Sequence, residues 1–247
     1  SQADLRETTR FDHVTGTVRL ALLILFWFVG GFAWLDHFVR DLLAGSAVDH
    51  MIVRGLVFAG LLLVARVAVS LPFDLYNTFV IEEKFGFNRT TPRTYFLDLI
   101  KSALLAVVLG APIFAAILAF FQYMGDFAWL CSWVVVALFS LLLQYVAPRW
   151  IMPLFNRFQP LEEGELRDAV EECLEAADFP VRELYVMDGS RRSTKSNAFF
   201  TGFGKNKRIA LFDTLIERHT TAELVAVLAH EVGHYKKKHV TALMVAG

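Results

Sequence analysis

The chain has 247 residues, 55% of them hydrophobic, with 23 phenylalanines, five tryptophans and a net charge of −1. So much apolar surface exceeds what a water-soluble chain of this length can bury. A near-neutral balance provides no field for nucleic acid, so that partner is excluded. Cys131 lies in an apolar run and Cys173 in an acidic helical stretch, and they form neither a CxxC pair nor a metal knuckle.

Four apolar segments follow in chain order. Leu20–Leu35, LALLILFWFVGGFAWL, carries no charge, and with the residues from Gly16 it predicts a first span at about 16–35. No small-x-small cleavage pattern follows and more spans come later, so it reads as a retained span and not a signal peptide. A second span is expected at about 52–73, weakened by Arg54 and Arg66. The runs at about 102–125 and 127–148 carry no charge, and each exceeds the roughly 20 helical residues that a bilayer core requires. Only Gln122–Asp126 links these last two, which predicts a tight helical hairpin. Arg66 has two readings: a cation that snorkels or lies on a polar face, or one that lines a water-filled interior. Lys84, Arg89, Arg93 and Lys101 lie between spans two and three, and Arg149 and Arg157 follow span four. The positive-inside rule then places the N-terminus, the 74–101 loop and everything after Arg149 in the cytoplasm.

Beyond Arg149 the hydropathy falls. Pro160–Pro180 predicts a soluble helix, with Leu166, Val170, Cys173 and Leu174 at helical spacing and acids on the other face. Arg182–Met187 reads as a strand and Asp188–Lys195 as a loop. Ser196–Phe203 and Arg208–Phe212 read as a hairpin turning at residues 204–207. No G-x-G-x-x-G or P-loop occurs, so this is a small α+β element and not a nucleotide-binding unit. Thr220 and Glu223 form a capping-box pattern that opens a helix.

That helix carries His230-Glu231-Val232-Gly233-His234. At about 100° per residue, His234 lies about 40° round from His230 and one turn along, so two imidazoles can reach one ion. Glu231 stands beside them, suited to take a proton from water rather than to ligate. A histidine pair used only for packing is the bland alternative. Gly233 lowers helix propensity, and close approach of another backbone is one reason for it. Zinc needs a third protein ligand. His239 is turned away on the helix, His219 precedes the cap, and no earlier carboxylate has ligand spacing, so the third ligand is expected outside this sequence. Tyr235–His239 is a basic turn suited to lipid headgroups or solvent. Val240–Gly247 is apolar and predicts the start of a fifth span, so the sequence reads as a piece of a longer protease.

HEVGH, preceded by SNAFFTGFGKNKRIALFDTLI (Ser196–Ile216), by EEKFGFNRTT (Glu82–Thr91) and by hydrophobic spans, resembles the integral-membrane type I CAAX prenyl endopeptidases. The resemblance covers essentially the whole chain. It implies a complete fold of seven transmembrane helices around a water-filled chamber, capped by a cytoplasmic zinc domain. His230 and His234 match the zinc histidines and Glu231 the general base. Asn197, Ala198 and Phe199 match a substrate-lining strand, and the chamber offers Arg66 a place. The third ligand is implied to be a glutamate beyond residue 247. The expected fold class is therefore an α-helical integral membrane protein, with spans in 1–148, a metalloprotease element at 149–239 and a fifth span starting at 240–247. The expected cofactor is one Zn²⁺, and the expected partners are the lipid bilayer, a peptide or prenylated peptide substrate, and the remaining C-terminal part. A bacterial inner membrane and an endoplasmic reticulum membrane fit equally. A quality-control metalloprotease of the heat-shock type and a non-enzymatic membrane scaffold are the alternative functions.

Overall fold

A computed structural model describes residues 2–177, 179, 181–201 and 207–236, with Glu231 and His234 placed by backbone alone. The chain divides into two units, Ser1–Asn88 with Pro92–Leu141, and Arg89–Thr91 with Leu142–Gly247.

In the first unit, α1 (Gln2–Phe28) carries the first apolar run. The helix expected at 16–35 is divided, because Gly30 takes a left-handed conformation (φ 76°) that a residue with a Cβ rarely adopts. The chain then restarts as α2 (Gly31–Leu43), which buries Leu35 and Val39 on one face. α3 (Met51–Tyr76) continues through a π-helical turn at Asn77–Ile81 into α4 (Glu82–Lys84). Arg54 lies in the first turn of α3, where its guanidinium grips both carboxylate oxygens of Asp49, so this cation sits at the span end and not inside it. α1 lies against α3 through Arg19–Asp74 (3.0 Å), and Lys84 reaches back to Glu7 (2.6 Å). Phe11 stacks on Tyr76 with ring centres 5.3 Å apart. α5 (Pro92–Leu105) runs through a π-helical turn at Ala106–Gly110 into α6 (Ala111–Tyr123). That turn precedes Pro112, whose missing N–H interrupts the regular ladder. A Cβ on Gly55 would meet the Leu118 side chain, so glycine allows α3 and α6 to approach.

α7 (Ala128–Val146) passes through a π-helical turn at Ala147–Ile151 to α8 (Met152–Phe155). Among the described residues, four continuous helices are long and apolar enough to cross a membrane: Asp4–Phe28, Met51–Lys84, Pro92–Tyr123 and Gly125–Phe155. Their apolar side chains face outward, Val64, Val108, Trp133 and Leu138 among them. This inverts a soluble core, as a hydrocarbon solvent requires. The helices overrun the apolar windows because hydropathy marks the bilayer core, whereas the backbone ladder continues into charged turns such as the one holding Arg93 and Asp98.

The second unit contains β1 (Phe158–Pro160), α9 (Glu165–Ala176), β2 (Val181–Met187), β3 (Ala198–Thr201), β4 (Lys207–Phe212), α10 (Asp213–Arg218) and α11 (Thr221–Lys236). The sheet order is β1-β2-β4-β3, with β2 and β4 parallel and the other pairs antiparallel. Period-two alternation sends Ile209 and Leu211 of β4 to one face, where α9 and α11 cover them. Val170 and Leu174 of α9 meet Leu224, Leu228 and Val232 of α11 in that core. The β3–β4 pair is the expected hairpin, and its turn at 202–206 lies outside the described residues. Arg192 closes the loop between β2 and β3. Its guanidinium donates to the Asn156 Oδ1 (2.7 Å) and to the Phe155 carbonyl (2.6 Å). Its own carbonyl accepts from the Arg89 N–H (3.0 Å) and the Thr90 hydroxyl (3.1 Å).

Candidate metalloprotease site

α11 begins at the expected cap. The Glu223 carboxylate accepts from the Thr220 N–H (2.8 Å), and the Thr220 hydroxyl faces the Glu223 N–H at 3.4 Å. The bond from the Thr220 N–H, and then one donated by the Thr220 hydroxyl to the same carboxylate (3.0 Å), hold the Glu223 carboxyl below its ordinary range. Leu224, Leu228 and Val232 are buried at successive turns and fix the rotation of the helix. Position 230 then falls on the far side, and the His230 side chain is exposed. Position 234 follows one turn later on that same outward side, and Glu231 stands at the border of the buried stripe. Two imidazole-bearing positions a turn apart on one side of a helix, the first with its side chain exposed, fit two ligands of a zinc ion. Among the described side chains no group of three His, Cys, Asp or Glu residues gathers. Nothing described lies within 4 Å of a Cβ built on Gly233, so the described residues supply no close backbone approach there. His239 and the expected fifth span lie outside the described residues.

Asn197 is exposed at the entrance to β3, where its Oδ1 accepts from the Ala198 N–H (2.9 Å) and its carbonyl from the Phe212 N–H (3.0 Å). Ala198 and Phe199 pair with Leu211 and Ala210, and no described strand pairs with the other edge of β3. The segment before β3 is pinned to α10: Ser196 donates to the Thr214 carbonyl, and Thr214 donates to the Lys195 carbonyl, both at 3.1 Å. Asn197, Ala198 and Phe199 thus share one unit with His230, Glu231 and His234, while Arg66 lies in the other, exposed on α3. The sequence reading misses the bracing by Arg192, whose carbonyl and guanidinium bonds cross long stretches of chain and leave no local pattern.

Apolar spanning helices joined to an H-E-x-x-H helix on a small sheet define the membrane metallopeptidase class. Residues 1–157 match the family model described as CAAX prenyl protease N-terminal, five membrane helices, and residues 160–247 match peptidase family M48. The chain belongs to this CAAX prenyl protease family of M48 peptidases. It is 40% identical over 244 residues to the probable CAAX prenyl protease 1 of Schizosaccharomyces pombe, covering 95% of this chain and 51% of that protein. It is 43% identical over 203 residues to CAAX prenyl protease 1 of Saccharomyces cerevisiae, covering 79% of this chain and 44% of that protein. The crystal structure of S. mikatae Ste24p superposes with a TM-score of 0.89 at 38% identity, over 98% of this chain and 57% of that one. The chain spans about half the length of the curated relatives it matches.

Proposed function

We propose that this chain carries the zinc histidines and general base of a membrane endopeptidase that removes the last three residues of prenylated CAAX proteins. The observation that carries the reading is the capped helix α11, rotated by its buried Leu224–Leu228–Val232 stripe so that position 230 is uncovered. His230 and His234 supply two zinc ligands, and a glutamate beyond residue 247 supplies the third. When bound, zinc supplies Lewis acidity at the scissile carbonyl and acidifies water. Glu231 takes the proton of the attacking water and delivers it to the departing amine nitrogen. The open edge of β3 holds the substrate as an added strand, with Asn197 at its entrance. Arg66 lines a water-filled chamber, since a lipid-facing cation at mid-span costs roughly 2.5–3.5 kcal/mol. The catalytic side is cytoplasmic, following the basic residues that flank the spans.

Glu231→Gln tests the assignment. The variant is expected to retain the metal content of the unaltered protein, measured by elemental analysis, and to lose cleavage of a farnesylated CAAX peptide by at least a hundredfold. Cleavage at the unaltered rate removes Glu231 from the mechanism, and loss of metal makes it a ligand instead. Equal cleavage of farnesylated and unprenylated peptides favours the quality-control function.

A further inference from the structure

The sheet has a second face, opposite α9 and α11. Register sets Tyr185, Ala210 and Phe199 side by side on it, since Ala210 pairs with Tyr185 on one flank and Phe199 on the other. These residues floor a cleft of about 500 Å³, walled by the π-helical turn after α7 and the segment after α8, at Arg149 and Arg157. Arg208 enters from β4, so the described lining holds three arginines and no carboxylate. Arg208 is already engaged: it lies 2.7 Å from Glu183 and its guanidinium stands 5.6 Å from the Tyr185 ring centre. Arg149 and Arg157 are exposed and form no ion pair among the described residues. Two arginines that form no ion pair among the described residues line one cleft, and such a pair suits an anion.

Position names the source of that anion. Arg149 lies near the end of the fourth spanning helix, Gly125–Phe155. Its neighbour Trp150 is 71% exposed and Leu154 is 50% exposed. An outward tryptophan at a span end marks the headgroup level of a bilayer. We propose that this cleft binds the phosphate headgroup of an anionic phospholipid. Arg149 and Arg157 present planar donor forks that match a phosphate. The Asn156 Oδ1 is occupied by Arg192, which leaves its amide donors for the glycerol or headgroup hydroxyls. Trp150 and Leu154 offer apolar contact to the acyl chains. The cleft shares Phe199 with the strand proposed to hold substrate, but Arg149 and Arg157 take no part in the proposed Glu231 chemistry, so their substitution tests the lipid site separately from the protease reading.

The test is native mass spectrometry of the detergent-purified protein titrated with phosphatidylglycerol or phosphatidylcholine. Phosphatidylglycerol is expected to bind at least tenfold more tightly, and Arg149→Gln/Arg157→Gln to remove that preference. The single variants Arg149→Gln and Arg157→Gln serve if the pair does not fold, each expected to weaken phosphatidylglycerol about three- to fivefold. Unchanged phosphatidylglycerol binding by the variants overturns the proposal. Two competitors separate the sources. Displacement by millimolar glycerol phosphate assigns the cleft to a soluble phosphate and overturns the lipid. Displacement by a peptide with a free C-terminal carboxylate, but not by its amidated form, assigns it to a peptide and overturns the lipid likewise. Resistance to both competitors supports it.

Discussion

Under the proposed function, Asn197 serves fold and substrate with different atoms. Its Oδ1 accepts from the Ala198 N–H and sets the entry into β3. The amide nitrogen offers two donors to an incoming backbone carbonyl. Asn197→Asp keeps the acceptor and loses the donors, whereas Asn197→Ala loses both. If the amide holds substrate, both variants raise KM for a CAAX peptide with little change in kcat or metal content. The rise is about two- to tenfold, the worth of one hydrogen bond. Restoration of KM by Asn197→Asp, measured in steady-state kinetics, assigns the residue to strand positioning alone. Nearby, Glu183 accepts from Tyr185 and pairs with Arg208 through the same oxygen. Burial, then the Glu183 hydrogen bond, pushes the Tyr185 hydroxyl up, so this trio keeps its protonated phenol well into the alkaline range.

Elements that declare themselves in sequence do so through local chemistry. The Thr220-x-x-Glu223 box predicts the start of α11, and the two residues bond reciprocally in the structure. Because the folded state holds Glu223 below its ordinary range, the cap stabilises α11 above the unfolded carboxyl pKa of about 4.3 and is lost as pH falls through the lower folded value. Thr220→Ala is expected to destabilise α11 by about 1 kcal/mol near neutral pH. It should also lose less amide protection than the unaltered protein on acidification, followed by hydrogen exchange at residues 221–225. Identical acid dependence in the two proteins detaches Glu223 from the cap. The apolar runs are legible too, most clearly at 102–125 and 127–148, which exceed bilayer length without a charge. Their helix ends are not, since charged turns extend a helix at little cost once the ladder exists. Nor is the break before α2 legible: Gly30 sits in an apolar run, and its left-handed backbone leaves no mark in hydropathy. β1 is three residues long and ends in Pro160, too short for period two to register.

At the scale of the whole molecule, long-range pairing decides what local pattern cannot. The spacing of His230, Glu231 and His234 is a local pattern on one helix, α11. The edge position of β3 depends on the parallel insertion of β4 beside β2, a pairing between distant segments. The same is true of Arg89–Thr91, which belongs to the second unit although the chain on both sides belongs to the first. Arg192 explains that assignment. Its carbonyl takes the Arg89 N–H and the Thr90 hydroxyl, while its guanidinium is anchored on Phe155 and Asn156. A carbonyl holds a fixed place only when its own residue is braced, and charge-assisted hydrogen bonds of this kind contribute about 1.5–3 kcal/mol each. Arg192→Ala removes the brace and leaves the carbonyl. The Arg89 amide should then exchange at least tenfold faster in peptides covering residues 86–92, with the α9–α11 core unchanged. Arg192→Lys, which can reach only one of the two acceptors, should fall between. Unaltered exchange at Arg89 in both variants would mean that the backbone of the β2–β3 loop holds the segment without its side chain.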